Sequence, residues 1–253
     1  MTALQPLEPR QLFSISLINH IITITGTSAA DKVSVQLTLP PIVGVQPQPS
    51  IVFPTGASYR ATLNGTSRTY AAADVAGVSV STGDGNDSVM LGSFGGPLPL
   101  AGTSLLFPIG IGAILVPATV HGGAGADTIT GGNAGDHLYG EGGSDHIVGQ
   151  GGNDFIYGGG GNDTLGIYWN ESGNDYISGG DGNDNINAGY GDDTVFGGNG
   201  NDTVNGYAGH DVVYGGPGAD HFFLTLDPRG TQAKDFTAGQ DINDGGTIWP
   251  VPL

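Results

Sequence analysis

Between Gly122 and Phe223 the chain repeats itself every nine residues, eleven times over. The units read GGAGADTIT, GGNAGDHLY, GEGGSDHIV, GQGGNDFIY and GGGGNDTLG. After a three-residue insertion, Ile167 to Trp169, they continue as NESGNDYIS, GGDGNDNIN, AGYGDDTVF, GGNGNDTVN, GYAGHDVVY and GGPGADHFF. The sixth position is Asp in every unit, and the eighth is apolar in every unit, from Ile129 to Phe222. The fourth is Gly in all but one, where Ala134 stands. A fixed short period of this length allows few folds besides a solenoid, because each unit buries its apolar residue only by stacking on its neighbours.

The unit divides in two. Its first six positions, mostly glycine and small polar residues, suit a tight turn with positive φ angles. Its last three suit a short strand whose middle side chain points inward. Two units, about 18 residues, then make one coil, and units of like parity lie above one another. Their Asp side chains share one stack of turns, together with backbone carbonyls. An all-oxygen environment of this kind favours a hard cation of calcium's size over magnesium, which demands tighter octahedral geometry. Between residues 122 and 223 stand 15 acids and no Lys or Arg. Eleven units leave about nine positions between like-parity neighbours, so about eight or nine divalent ions would offset those acids. Metal binding and folding are then expected to be one event.

These residues resemble the RTX, or hemolysin-type, calcium-binding repeat G-G-x-G-x-D-x-U-x, in which U is a large apolar residue. The resemblance implies an all-β fold, a parallel β-roll (a β-solenoid), with multiple Ca2+ ions in its turns. Carried onto this sequence, it implies that the ligands are the sixth-position carboxylates: Asp127, Asp136, Asp145, Asp154, Asp163, Asp175, Asp184, Asp193, Asp202, Asp211 and Asp220. Carbonyls of the glycine-rich positions complete the set, such as those of Gly151, Gly160, Gly182, Gly191 and Gly200. Ala134, Asn170 and the insertion before Asn170 depart from the pattern and place the neighbouring sites in question. The tail KDFTAGQDIND is similar to the family's C-terminal capping segment.

Residues 1–121 read as an irregular all-β region, 122–223 as the calcium-binding roll and 224–253 as a capping segment. In KVSVQLTL the alternation of Val33, Val35, Leu37 and Leu39 predicts a half-buried strand, and Asn64-Gly65 between strand-like flanks predicts a hairpin. Units around Asp31 and Asp87 echo the repeat in isolation. No charge occurs from Leu98 to Val120, but its prolines and glycines would break a membrane helix repeatedly, so a proline-punctuated loop is expected there rather than a span.

The 24 acids against 6 bases, with a formal charge of -18, argue against nucleic acid or an anionic membrane surface as partner. The chain has no cysteine, so no disulfide or thiolate chemistry is open to it. The N-terminus lacks the basic and apolar regions of an ordinary signal peptide. LEPRQLF, from Leu7 to Phe13, is instead similar to a short Leu-Glu-Pro-Arg-x-Leu-Leu signature on exported bacterial proteins. A secreted or cell-surface location is the expectation.

No G-x-S-x-G elbow, H-E-x-x-H helix or phosphate loop occurs, so the chain reads as non-enzymatic. The alternatives are the C-terminal type of RTX module carried by a secreted hydrolase or toxin, or an adhesin. The even-numbered units place His137, Tyr139, Phe155, Tyr157, Tyr176, Thr194, Phe196, Val212 and Tyr214 on one outer face. Such an aromatic strip is expected to be covered by the N-terminal β region, by a second copy in self-association, or by an extracellular ligand.

Overall fold

The computed structural model describes residues 14–38, 58–92, 116–166, 173–223, 232–235, 237 and 240–243. Its strands form two sheets, one of ten strands and one of eleven. Within the repeats the pairing is parallel, and it joins units of like parity as the period requires. His137 pairs with Phe155 and Leu138 with Ile156 in the first sheet; His146 pairs with Thr164 and Ile147 with Leu165 in the second. Beyond the insertion, Phe155 pairs with Tyr176 and Leu165 with Ile186. The like-parity register is therefore the same on both sides of the insertion.

The eighth-position side chains form the core. Ile129, Leu138, Ile147, Ile156, Ile177, Ile186, Val195, Val204, Val213 and Phe222 are fully buried between the sheets, and Leu165 nearly so. Burial of this kind contributes about 1.5–3 kcal/mol per large side chain. Flanking side chains at the seventh and ninth positions point outward, as a period of two requires.

The same two sheets run on through the residues before the repeats. In the first, Ile21–Thr25 pairs in parallel with Gly77–Asp84, which pairs with Ala118–Ala124. In the second, Lys32–Thr38 pairs in parallel with Ser88–Leu91, which pairs with Thr128–Thr130. These segments are earlier coils of one roll. Antiparallel strands close that end: Ser14–Ile18 on the first sheet, Ser58–Leu63 and then Thr66–Ala71 on the second. At the other end Gln232–Ala233 and Ile242–Asn243 each add a short strand.

Both local expectations for this region hold. Val33, Val35 and Leu37 are buried along one face of their strand. Asn64 and Gly65 sit at φ 48 and 82 between Ser58–Leu63 and Thr66–Ala71, the positive angles that a two-residue hairpin turn needs. Leu39, the LEPRQLF segment and residues 98–115 of the uncharged stretch lie outside the described residues. Among those described, no helix is long and apolar enough to cross a membrane.

Candidate metal centre

Each coil crosses between the sheets through two glycine-rich turns, and the sixth-position Asp closes each turn. All eleven predicted Asp residues are buried, none more than 3% exposed. The structure sorts them into two columns, one along each edge of the roll. One edge carries Asp127, Asp145, Asp163, Asp184, Asp202 and Asp220; the other carries Asp136, Asp154, Asp175, Asp193 and Asp211.

Within a column every carboxylate does the same first task. The backbone N–H of Asp127 donates to Asp145 Oδ1 at 2.7 Å, that of Asp145 to Asp163 Oδ1 at 2.8 Å, and that of Asp163 to Asp184 Oδ1 at 2.8 Å. The opposite edge repeats the pattern, with Asp136 N–H donating to Asp154 Oδ1 and Asp175 N–H to Asp193 Oδ1, both at 2.8 Å. One oxygen of each Asp therefore stitches its coil to the one before.

The other oxygen is left over. Oδ2 of Asp127, Asp145, Asp163, Asp175, Asp184, Asp193, Asp202 and Asp220 is buried without a hydrogen-bond partner. An unsatisfied buried carboxylate oxygen is costly, and a row of them in one molecule calls for an electrophile.

The first-position glycines show where it fits. A β-carbon on Gly122 would crowd Asp127 Oδ2 and lie 3.0 Å from the Gly140 carbonyl oxygen; one on Gly158 would crowd Asp163 Oδ2 and lie 2.6 Å from Gly179 O. Gly140, Gly179 and Gly197 repeat the arrangement beside Asp145, Asp184 and Asp202. Glycine thus leaves a small buried cradle faced by a carboxylate oxygen and a carbonyl of the next coil. Among the described residues no group of three or more His, Cys, Asp or Glu side chains is placed to hold a metal. A cation in these cradles would draw the rest of its shell from backbone carbonyls, the donor set that suits calcium.

The glycines singled out by sequence have more varied surroundings. Gly160 O accepts the Gly143 N–H at 2.7 Å, and the Gly151 N–H donates to Gly132 O at 3.3 Å. Gly182, Gly191 and Gly200 stand at the fourth position with φ between 133 and 150, and their carbonyls press against the fourth-position glycines of the next coil. There a side chain would meet backbone, which is why that column is glycine. The carbonyls that approach Oδ2 at the cradles belong to the first position.

Burial raises the carboxyl pKa values. Asp136 is pushed up to about 6, chiefly by desolvation. Asp145 and Asp184 also reach about 6, first through burial, with the charges of column neighbours adding to it. Asp193 rises furthest, to about 8, through burial and then the nearby Asp175, Asp211 and Asp192. A positive ion in the column would reverse each of these shifts.

Sequence reasoning left two features unassigned. The first column extends at both ends, since Asp31 N–H donates to Asp87 Oδ1, Asp87 N–H to Asp127 Oδ1, and Asp220 N–H to Asp241 Oδ1. A second ladder runs through the fifth position: Asn183 N–H donates to Asn162 Oδ1, Asn201 N–H to Asn183 Oδ1, and Asp192 N–H to Asn174 Oδ1. Its only signal in the sequence is an excess of Asn at that position.

The aromatic face is a stack of rings. Tyr139 lies on Tyr157 with centroids 5.1 Å apart, Phe196 on Tyr214 at 4.7 Å, and His121 on Tyr139 at 4.7 Å. The rings cover one another's faces and present their edges outward, with Phe155 40% exposed. The described N-terminal strands extend the sheets rather than crossing this strip.

Four copies of one family model, the RTX calcium-binding nonapeptide repeat, match residues 119–145, 130–165, 169–204 and 187–222, less than half of the chain. No curated protein and no solved structure matches. RTX nonapeptide repeats bind Ca2+ at multiple sites.

Proposed function

From a chain whose residues 119–222 are RTX calcium-binding nonapeptide repeats, we propose a secreted, non-enzymatic structural or interaction protein whose roll folds as it takes up several Ca2+ ions. The observation that carries this reading is the row of buried, unpaired Asp Oδ2 atoms facing glycine cradles. Sixth-position Asp residues whose Oδ2 faces an open glycine cradle hold the ions, with backbone carbonyls of the turns. Calcium supplies the positive charge that the segment lacks, since 15 acids face no Lys or Arg between residues 122 and 223.

Without the ion those carboxylates repel one another and lose hydration on folding, so the unfolded chain is favoured. In a compartment where calcium is scarce the chain stays open, and outside the cell it closes. Circular dichroism of the metal-free chain during a calcium titration, with magnesium as control, tests this. Gain of β signal with calcium alone, reversed by a chelator, supports the reading. A chain equally folded in chelator refutes coupled folding.

A further inference from the structure

The two edges of the roll are not chemically equivalent. Along the first, the residues before Asp127, Asp145, Asp163, Asp184, Asp202 and Asp220 at the first position are all glycine, namely Gly122, Gly140, Gly158, Gly179, Gly197 and Gly215. Each of those glycines lies against Oδ2 of its own unit's Asp, and every one of those Oδ2 atoms is buried and unpaired.

This file is closed at its ends by protein donors. Asp31 Oδ2 accepts the Thr27 N–H and Asp241 Oδ2 the Thr237 N–H, both at 2.6 Å. In the coil of Asp87, Thr82 replaces the first-position glycine. Its hydroxyl donates to Gly122 O at 2.6 Å, the carbonyl that stands toward Asp87 as Gly140 O stands toward Asp127. The Thr82 side chain takes the place that the glycine coils leave open beside Asp87, whose Oδ2 is itself buried and unpaired.

The opposite edge is broken. Asp136 Oδ2 already accepts the Gly132 N–H at 2.6 Å, and Gly131 O, the first such carbonyl on this edge, accepts the buried Gln150 amide at 2.7 Å. Further along, the first position before Asp193 is Ala188, fully buried. It occupies the register of Gly149, where a β-carbon would crowd Asp154 Oδ2 and lie 3.2 Å from the Ile156 side chain. In that register the Ala188 methyl takes the space an ion would need, and it leaves Asp193 Oδ2 buried without a partner.

We infer that calcium forms an uninterrupted file along the edge from Asp127 to Asp220, whereas Asp136 and Asp193 on the opposite edge hold no cation. This rests on the reading of the Asp columns as calcium ligands. The roll then has one metal-tied edge and one tied in part by its own side chains. An interrupted edge leaves longer gaps between its ions, and so weaker electrostatic coupling along it.

The test is native mass spectrometry of the full-length protein, folded in saturating calcium and counted for bound Ca2+. Asp→Asn keeps the Oδ1 acceptor of the coil-to-coil bond, so folding is checked by circular dichroism and the count is read on folded protein. Asp163→Asn is expected to lose at least one ion, Asp193→Asn none, and Ala188→Gly to gain one. Loss from Asp193→Asn equal to that from Asp163→Asn, or no gain in Ala188→Gly, overturns the asymmetry while leaving calcium binding intact. A wild-type protein that retains no calcium sinks both the asymmetry and the underlying reading.

Discussion

Acidification is expected to fold the metal-free chain, the reverse of ordinary acid denaturation. Six carboxyls have folded-state pKa values above the ordinary 3.8: Asp136, Asp145, Asp175, Asp184 and Asp202 at about 6, and Asp193 at about 8. Between pH 3.8 and those values the folded chain binds more protons than the unfolded one, so stability falls as pH rises through this window. For Asp136, fully buried, a rise of about two units corresponds to ~3 kcal/mol lost on going to neutral pH. If each of the six contributes a third of that, the total is on the order of 6 kcal/mol, as large as the stability of a typical domain.

The assay is circular dichroism in calcium-free buffer from pH 7.5 down to pH 5, above the sequence pI of 4.1 to avoid precipitation. The β signal should grow on acidification. In the same range the calcium midpoint should move to higher calcium, because protons and calcium compete for the same oxygens. A metal-free β signal that is flat or shrinks toward pH 5 refutes the argument from buried carboxylates.

Three substitutions probe other parts of the roll. Gly158→Ala places a methyl against Asp163 Oδ2 and Gly179 O, and should raise the calcium concentration needed for folding, read from the same titration. Ile177→Ala removes a fully buried core side chain and should cost the calcium-loaded protein about 2–5 kcal/mol, seen as a lowered midpoint in denaturant. Glu141 sits at φ 76, where Gly159 and Gly180 occupy the equivalent place in the next two coils. Glu141→Gly should relieve about 1 kcal/mol of backbone strain against loss of an exposed 2.8 Å contact with His121. The loaded protein's melting temperature should therefore hold or rise, and a clear drop would show the His121 contact to matter more than the strain.

The core, the pairing by parity and the two Asp columns were legible because each rests on a strict period. The eighth position of every unit lands between the sheets, and a slip of one residue in register would put Ile156 outside. Asp31 and Asp87 were not placed in the column because 56 and 40 residues separate successive members there, as against 18 or 21 within the array. Parallel strands pair without regard to the length of the excursion between them, and periodicity is blind to that. The cradle closures are also silent in sequence. Thr82, Gln150 and Ala188 read as ordinary variation until the carbonyls they meet are known. The aromatic strip was legible as a column, but not the mutual stacking that lets its rings partly cover themselves.

The account's central claim is that the Asp columns are folding ligands. Hydrogen exchange of the full-length chain, with and without calcium, tests it at the backbone. The N–H groups of Asp127, Asp145, Asp163, Asp175, Asp184 and Asp202 each donate to the next carboxylate of a column. With calcium these amides should exchange slowly throughout 122–223, and in chelator at pH 7.5 they should exchange as an open chain. Equal protection in both conditions would contradict the claim and make the roll a metal-independent solenoid.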